Sequence, residues 1–179
     1  KNGSVVLLCA ALLNRGKTTL HGISRIEEVN RLIEILESIG VSARWVAKNS
    51  VEIVPPKKLS LKSLDIAAAA RVRSSLMFIG PLVHLVPAFD LPHAGGCKMG
   101  NRTIAAHRYG LEELGVSIKT LENHYHVSHK RLRAADIVMY EAGDTAANNI
   151  LMAAALTPGI TTIRFAPPNY QVQELCFFL

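Results

Sequence analysis

Cys97 lies in the run Gly95-Gly96-Cys97-Lys98-Met99-Gly100-Asn101-Arg102. Glycines on both sides free the backbone to turn and to bring its N–H groups against a ligand. Lys98 and Arg102 place two cations beside the thiol, where they can hold an anion and favour the thiolate. The chemistry these residues suit is nucleophilic or acid–base work on an anionic substrate. A lone cysteine among glycines is equally compatible with a plain turn, so the reading depends on what surrounds it.

Other reactive-looking clusters carry less. Gly16-Lys17-Thr18 imitates the end of a phosphate-binding loop, but position 11 is Ala11 and a helical pattern precedes it, so a helix-ending turn is expected. His124, His126 and His129 could share a strand face, yet no cysteine or carboxylate completes a ligand set nearby, and a polar strand face is expected rather than a metal site. Cys9 and Cys176 fall at helix-core positions and read as small hydrophobes.

At 179 residues the length fits one domain with a single core. Three cysteines are too few for a disulfide framework and fit a reducing compartment. The net charge of +6 suits anionic partners, but the cations are dispersed and only 6% of residues are aromatic. A nucleic-acid platform of stacked aromatics is therefore not expected, and one anion site on a basic surface is. The longest apolar run, Val5 to Leu13, is too short to span a bilayer.

The elements that must hold the cysteine segment emerge from internal repetition. Ala10-Ala11-Leu12-Leu13-Asn14-Arg15-Gly16-Lys17-Thr18-Thr19-Leu20 recurs as Ala153-Ala154-Ala155-Leu156-Thr157-Pro158-Gly159-Ile160-Thr161-Thr162-Ile163, with Val29, Leu32 and Leu36 in register with Val172, Leu175 and Leu179. A second echo pairs residues 36–42 with 111–117. Shared spacing of this kind predicts three copies of one βαβαββ unit, at about 1–57, 58–132 and 133–179. In the first copy a small-residue helix from Val5 to Leu13 ends at a left-handed Gly16, and Thr18 to Leu20 extends. An amphipathic helix carrying Ile26, Val29, Leu32, Ile33, Leu36 and Ile39 follows, then strands near 43–46 and 51–54. The second copy carries a helix from Ile66 to Val83, and the third a leading strand from Asp136 to Tyr140. The first copy starts without its leading strand and the third stops inside its second helix, so the chain reads as a fragment.

Several runs occur in order: Lys1-Asn2 before the small-residue helix, Arg73-Ser74-Ser75, Gly80-Pro81-Leu82-Val83, the Cys97 segment, and Gly110-Leu111-Glu112-Glu113-Leu114-Gly115. Together they resemble the UDP-N-acetylglucosamine 1-carboxyvinyltransferase family of enolpyruvyl transferases. The resemblance spans the chain and about half of the family's two-domain enzyme. It implies an α/β fold of repeated βαβαββ units, an inside-out α/β barrel around a helical core, with the third unit truncated.

The resemblance also implies a reaction: transfer of the enolpyruvyl group of phosphoenolpyruvate to the 3′-hydroxyl of UDP-N-acetylglucosamine, with phosphate released. This is the first committed step of peptidoglycan synthesis, in the cytoplasm, without a cofactor or metal, and with neither nucleic acid nor membrane as a partner. Cys97 matches the general acid and fosfomycin target, and Lys1 and Arg102 match phosphate- and carboxylate-holding positions. Asn2 and Arg73 match substrate contacts, His107 a position near the uridine, and Gly143 the diphosphate turn. The chain departs from the family pattern at Thr103, Ala105, Asp144, Asn169 and Gln171. A second domain of the same enzyme is the implied partner, and the isolated piece is expected to be inactive. A 5-enolpyruvylshikimate-3-phosphate synthase-like transferase and a non-catalytic basic binding module remain as alternatives.

Overall fold

The computed structural model describes residues 2–93 and 103–179. Helix α1 (Asn2–Ala10) is buried along nearly its whole length, as a helix apolar all round must be. A 3-10 turn, Ala11–Leu13, ends it, and Asn14 leaves in an extended conformation. Gly16 is not left-handed, contrary to expectation. The Asn14 side-chain oxygen accepts from the Gly16 N–H at 3.1 Å, and this local turn replaces the glycine cap. Strand β1 (Thr18–His21) follows, and Lys17 pairs with Glu52 at 3.4 Å rather than framing a phosphate loop.

The amphipathic helix α2 (Glu27–Ser38) buries Val29, Leu32, Ile33, Ile35 and Leu36 and leads into strands β2 (Ser42–Ala47) and β3 (Ser50–Val54). These three strands form an antiparallel sheet in the order β1-β3-β2. The next stretch repeats the design. Strand β4 (Ala88–Pro92), helix α5 (Ala105–Glu113) and strands β5 (Val116–Thr120) and β6 (His124–His129) give a second sheet, ordered β4-β6-β5. The two helices end alike: Gly40 and Gly115 have φ of +93° and +92°, and their N–H groups donate to Glu37 and Glu112. A residue with a Cβ would be strained at both positions, so the echo between 36–42 and 111–117 is a shared helix stop.

The helix expected from Ile66 to Val83 is broken. Helix α3 (Ile66–Arg71) stops at an extended Val72, a 3-10 segment runs from Arg73 to Phe78, and helix α4 (Ile79–Leu82) closes the stretch. The Ser75 hydroxyl donates to the Val72 carbonyl at 2.8 Å, competing with a regular helical start. Strand β7 (Asp136–Val138), helix α6 (Asp144–Ala155) and strand β8 (Thr162–Arg164) form a parallel βαβ pair, and helix α7 (Tyr170–Phe178) follows. Cys176 is exposed, which corrects its placement as a core residue. Val172 and Leu175 are the residues α7 buries, a stripe too narrow to include it.

Helices therefore form the interior and the three small sheets lie outside, with no closed barrel among the described strands. Helices α4 and α6 pack directly on each other, while α1 packs against α2 and α7, and the α4–α6 approach is close at Gly80. A Cβ there would stand 2.5 Å from the Asn149 carbonyl oxygen and 2.8 Å from Asn149 Oδ1. Gly80→Ala is therefore expected to destabilise the chain by about 2 kcal/mol, since α4 must move off α6. Urea unfolding of both forms checks this, and equal midpoints would refute the close contact.

Candidate active site at the core-helix N-termini

The first residues of three interior segments meet. Asn2 opens α1, Arg73 opens the 3-10 segment before α4, and Asp144 and Thr145 open α6. All four line one cavity of about 210 Å³, together with Glu28, Ser74, His107, Asn148 and Gln171. A second, more open cavity of about 580 Å³ shares Arg73, His107, Asp144 and Thr145 and adds Thr103, Glu141, Ala142 and Gly143. Free N–H groups at a helix start carry partial positive charge, so converging starts favour an anion or an acceptor oxygen.

Of the residues singled out in the sequence, Asn2, Arg73, His107 and Gly143 fall around these two adjoining cavities. Lys1, Cys97 and Arg102 lie outside the described residues. Arg73 is half-buried and donates to the Thr103 carbonyl at 3.1 Å, which anchors the chain just after position 102. Gly143 is the N-cap of α6, extended at φ −102°.

His107 is 4% exposed. Its Nδ1 stands 3.1 Å from Asn149 Nδ2, and its Nε2 stands 3.4 Å from the Thr145 hydroxyl. Burial, with Arg73 nearby as a lesser cause, pushes its pKa down to about 4. The imidazole is neutral at pH 7 and acts as a polar neutral group, not a cation. By contrast, burial and then the charge of Glu28 push the Cys9 thiol far up, so Cys9 is inert.

Sequence reasoning missed the cavity's acceptors. Ser74 Oγ and Asn148 Oδ1 are buried without hydrogen-bond partners among the described residues, and both line the smaller cavity. Asp144 accepts from Asn169 Nδ2, while Asn169 Oδ1 caps α7 by accepting from the Gln171 and Val172 N–H groups at 3.1 Å each. The signal available was polar residues, Asn148 and Asn149, inside an otherwise apolar helix. The histidine strand meets a carboxylate from across the sheet. Asp90 pairs in register with His126, and its Oδ1 lies 2.7 Å from His126 Nδ1 and 3.7 Å from His124 Nε2.

This arrangement of buried helices inside outer sheets, with helix starts gathered at one cleft, defines a member of the enolpyruvyl transferase fold. A solved structure of the enolpyruvyl transferase NikO from Streptomyces tendae superposes with a TM-score of 0.79 at 17% identity, over 98% of this chain and 41% of that one. The chain belongs to the EPSP synthase (3-phosphoshikimate 1-carboxyvinyltransferase) family, whose sequence model matches residues 1–179. It is 33% identical over 179 residues to the UDP-N-acetylglucosamine 1-carboxyvinyltransferase of Bradyrhizobium diazoefficiens and also 33% identical to that of Treponema denticola. It spans 41% and 42% of the length of these relatives. Among the described residues, no helix is long and apolar enough to cross a membrane.

The depressed His107 pKa has a consequence for stability. The unfolded chain takes up the proton near the ordinary 6.5, the folded chain only near 4. The stabilisation is thus complete above pH 6.5 and is lost as pH falls toward 4, a loss of about 3 kcal/mol. Unfolding free energies measured between pH 7 and 4 should fall more steeply for this chain than for His107→Phe. Parallel pH profiles would refute the assignment.

Proposed function

We propose that this chain is the reactive-cysteine portion of an enolpyruvyl transferase that moves the enolpyruvyl group of phosphoenolpyruvate onto the 3′-hydroxyl of UDP-N-acetylglucosamine. The observation that carries the reading is the gathering of Asn2, Arg73, His107 and Gly143 around two adjoining cavities, although they lie far apart in sequence. In the proposed reaction the Cys97 thiol gives its proton to the methylene carbon of phosphoenolpyruvate while the sugar hydroxyl attacks the neighbouring carbon. The attacking hydroxyl gives up its own proton, loss of a proton from the new methyl group and of phosphate then restores the alkene, and the thiolate takes a proton back. Lys1 and Arg102 hold the phosphate and carboxylate, and the helix starts add fixed positive potential. The chemistry is complete without a cofactor.

Glu141 and Asp144 flank Gly143 in the larger cavity, where the reading places the diphosphate. Their charges disfavour a bare dianion there, so Arg73 and the α6 N-terminus carry that part of the binding. The division into units at about 1–57, 58–132 and 133–179, a cytoplasmic location and a role in peptidoglycan synthesis belong to the same proposal.

A second domain completing the cleft is also part of it. The relatives' greater length supports this, as do exposed apolar side chains on the third span, Ile160, Phe165, Tyr170 and Phe177, each more than 70% exposed. The 179 residues alone are therefore expected to give no turnover with phosphoenolpyruvate and either UDP-N-acetylglucosamine or shikimate 3-phosphate. Phosphate release assays check this, and turnover by the isolated chain would overturn the need for a second domain. Turnover with shikimate 3-phosphate alone would also change the substrate.

The thiol's role has a direct test. In the intact protein, fosfomycin should add one mass equivalent at Cys97, and Cys97→Ser should abolish it. Exposed Cys176 serves as the control, because it should react with iodoacetamide but not with fosfomycin. Labelling that survives Cys97→Ser removes Cys97 from the mechanism.

A further inference from the structure

We propose that Asn149 is a positioning residue that locks His107 in its neutral Nε2–H tautomer, so that the cavity presents a fixed, uncharged N–H donor to an acceptor oxygen of its ligand. The proposal rests on the transferase reading only for which ligand supplies that oxygen.

The donors and acceptors around one amide fix its orientation. Asn149 is wholly buried on α6. The Gly80 backbone N–H donates to Asn149 Oδ1 at 2.6 Å, and because that group can only donate, the atom facing it is oxygen. At its other end Asn149 Nδ2 donates to the Leu76 carbonyl at 2.8 Å, and a carbonyl can only accept. Two backbone groups of opposite polarity thus fix the amide's orientation without reference to the histidine.

The second Nδ2 hydrogen points at His107 Nδ1, 3.1 Å away. That nitrogen must accept, so it carries the lone pair and the ring proton sits on Nε2. The nitrogen carrying the proton lies toward Thr145, which lines both cavities with His107. Its one hydrogen-bond partner among the described residues is the exposed Thr145 hydroxyl at 3.4 Å, a long interaction that a ligand oxygen can displace.

Protonating Nδ1 would set two donors against each other. Relieving that clash means turning the Asn149 amide and giving up its bonds to Leu76 and Gly80. The charged groups facing this region from other elements are Arg73, Glu28, Asp144 and Glu141, all lining the shared cavities. Burial nevertheless dominates and keeps the ring neutral. His107 therefore recognises a carbonyl, hydroxyl or phosphoryl oxygen and does not shuttle protons near neutral pH.

Long-range proton–nitrogen NMR of the nitrogen-15-labelled, ligand-free chain at pH 7 tests this, with His107→Gln assigning the signal. A pyrrole-type Nε2 and a pyridine-type Nδ1 are expected; an Nδ1–H tautomer or an imidazolium overturns the proposal. Asn149→Asp, which puts an acceptor in place of the donor, should move the proton to Nδ1. An unchanged tautomer in that variant removes Asn149 from the role.

Should Asn149→Asp fail to fold, binding of UDP-N-acetylglucosamine by the intact protein decides. His107→Gln, which keeps an N–H donor, should stay within about threefold of the parent, and His107→Phe should lose about tenfold, the worth of one hydrogen bond. Equal affinities for the two variants overturn the donor role. An Nε2–H signal that UDP-N-acetylglucosamine leaves unshifted sustains the tautomer and refutes that ligand instead.

Discussion

The amide of Asn149 is the point where the interior is held together. It bonds to the Leu76 carbonyl, the Gly80 N–H and the His107 ring, and so joins the segment before α4, α4 itself, α5 and α6. A fully paired buried amide stabilises modestly, but the same amide with one partner missing is costly in a low-dielectric interior. The helices can therefore pack in one register only. Leu76, Met77, Phe78, Ile79 and Leu82 fill the space around the contact, each no more than 2% exposed. Apolar area supplies the drive to bury these helices, and the amide decides their alignment.

That alignment fixes the site. With α4 held to α6, the starts of α1, α6 and the Arg73 segment open onto shared space, and polar side chains at those starts become neighbours. Arg73 then reaches the Thr103 carbonyl, so the same framework anchors the chain immediately after the cysteine segment. The outer sheets contribute by covering the other faces of the helices. Their alternating buried and exposed residues turn one face inward and leave the other in water.

Periodicity made much of this legible in the sequence. Helix α2 and its following hairpin could be read because their apolar residues keep strict spacing, and the repeat exposed the matching stops at Gly40 and Gly115. The break at Val72 was not legible, since it depends on the Ser75 hydroxyl competing for a backbone carbonyl. Nor was the Asp90–His126 contact, which is set by strand register across 36 residues. The same holds for the site. Asn2, Arg73, His107 and Gly143 stood out by resemblance to a family, whereas Ser74, Asn148 and Asn149 matter through burial, which spacing alone does not report.

Asp144 illustrates how such a site can change without disturbing the core. A carboxylate beside a proposed diphosphate position looks misplaced, yet it has local reasons to be there. It lies in the first turn of α6, where negative charge is favoured by the helix N-terminus. It also accepts from Asn169 Nδ2, while the oxygen of that same amide caps α7. Asp144 and Asn169 thus link the starts of two helices, and part of the carboxylate's charge is answered by groups already in place. Negative charge at this rim is therefore sustained by two helix starts rather than by the core. The Asn149 network shares no hydrogen bond with this rim pair, so charge at the rim is set separately from the packing of the core helices.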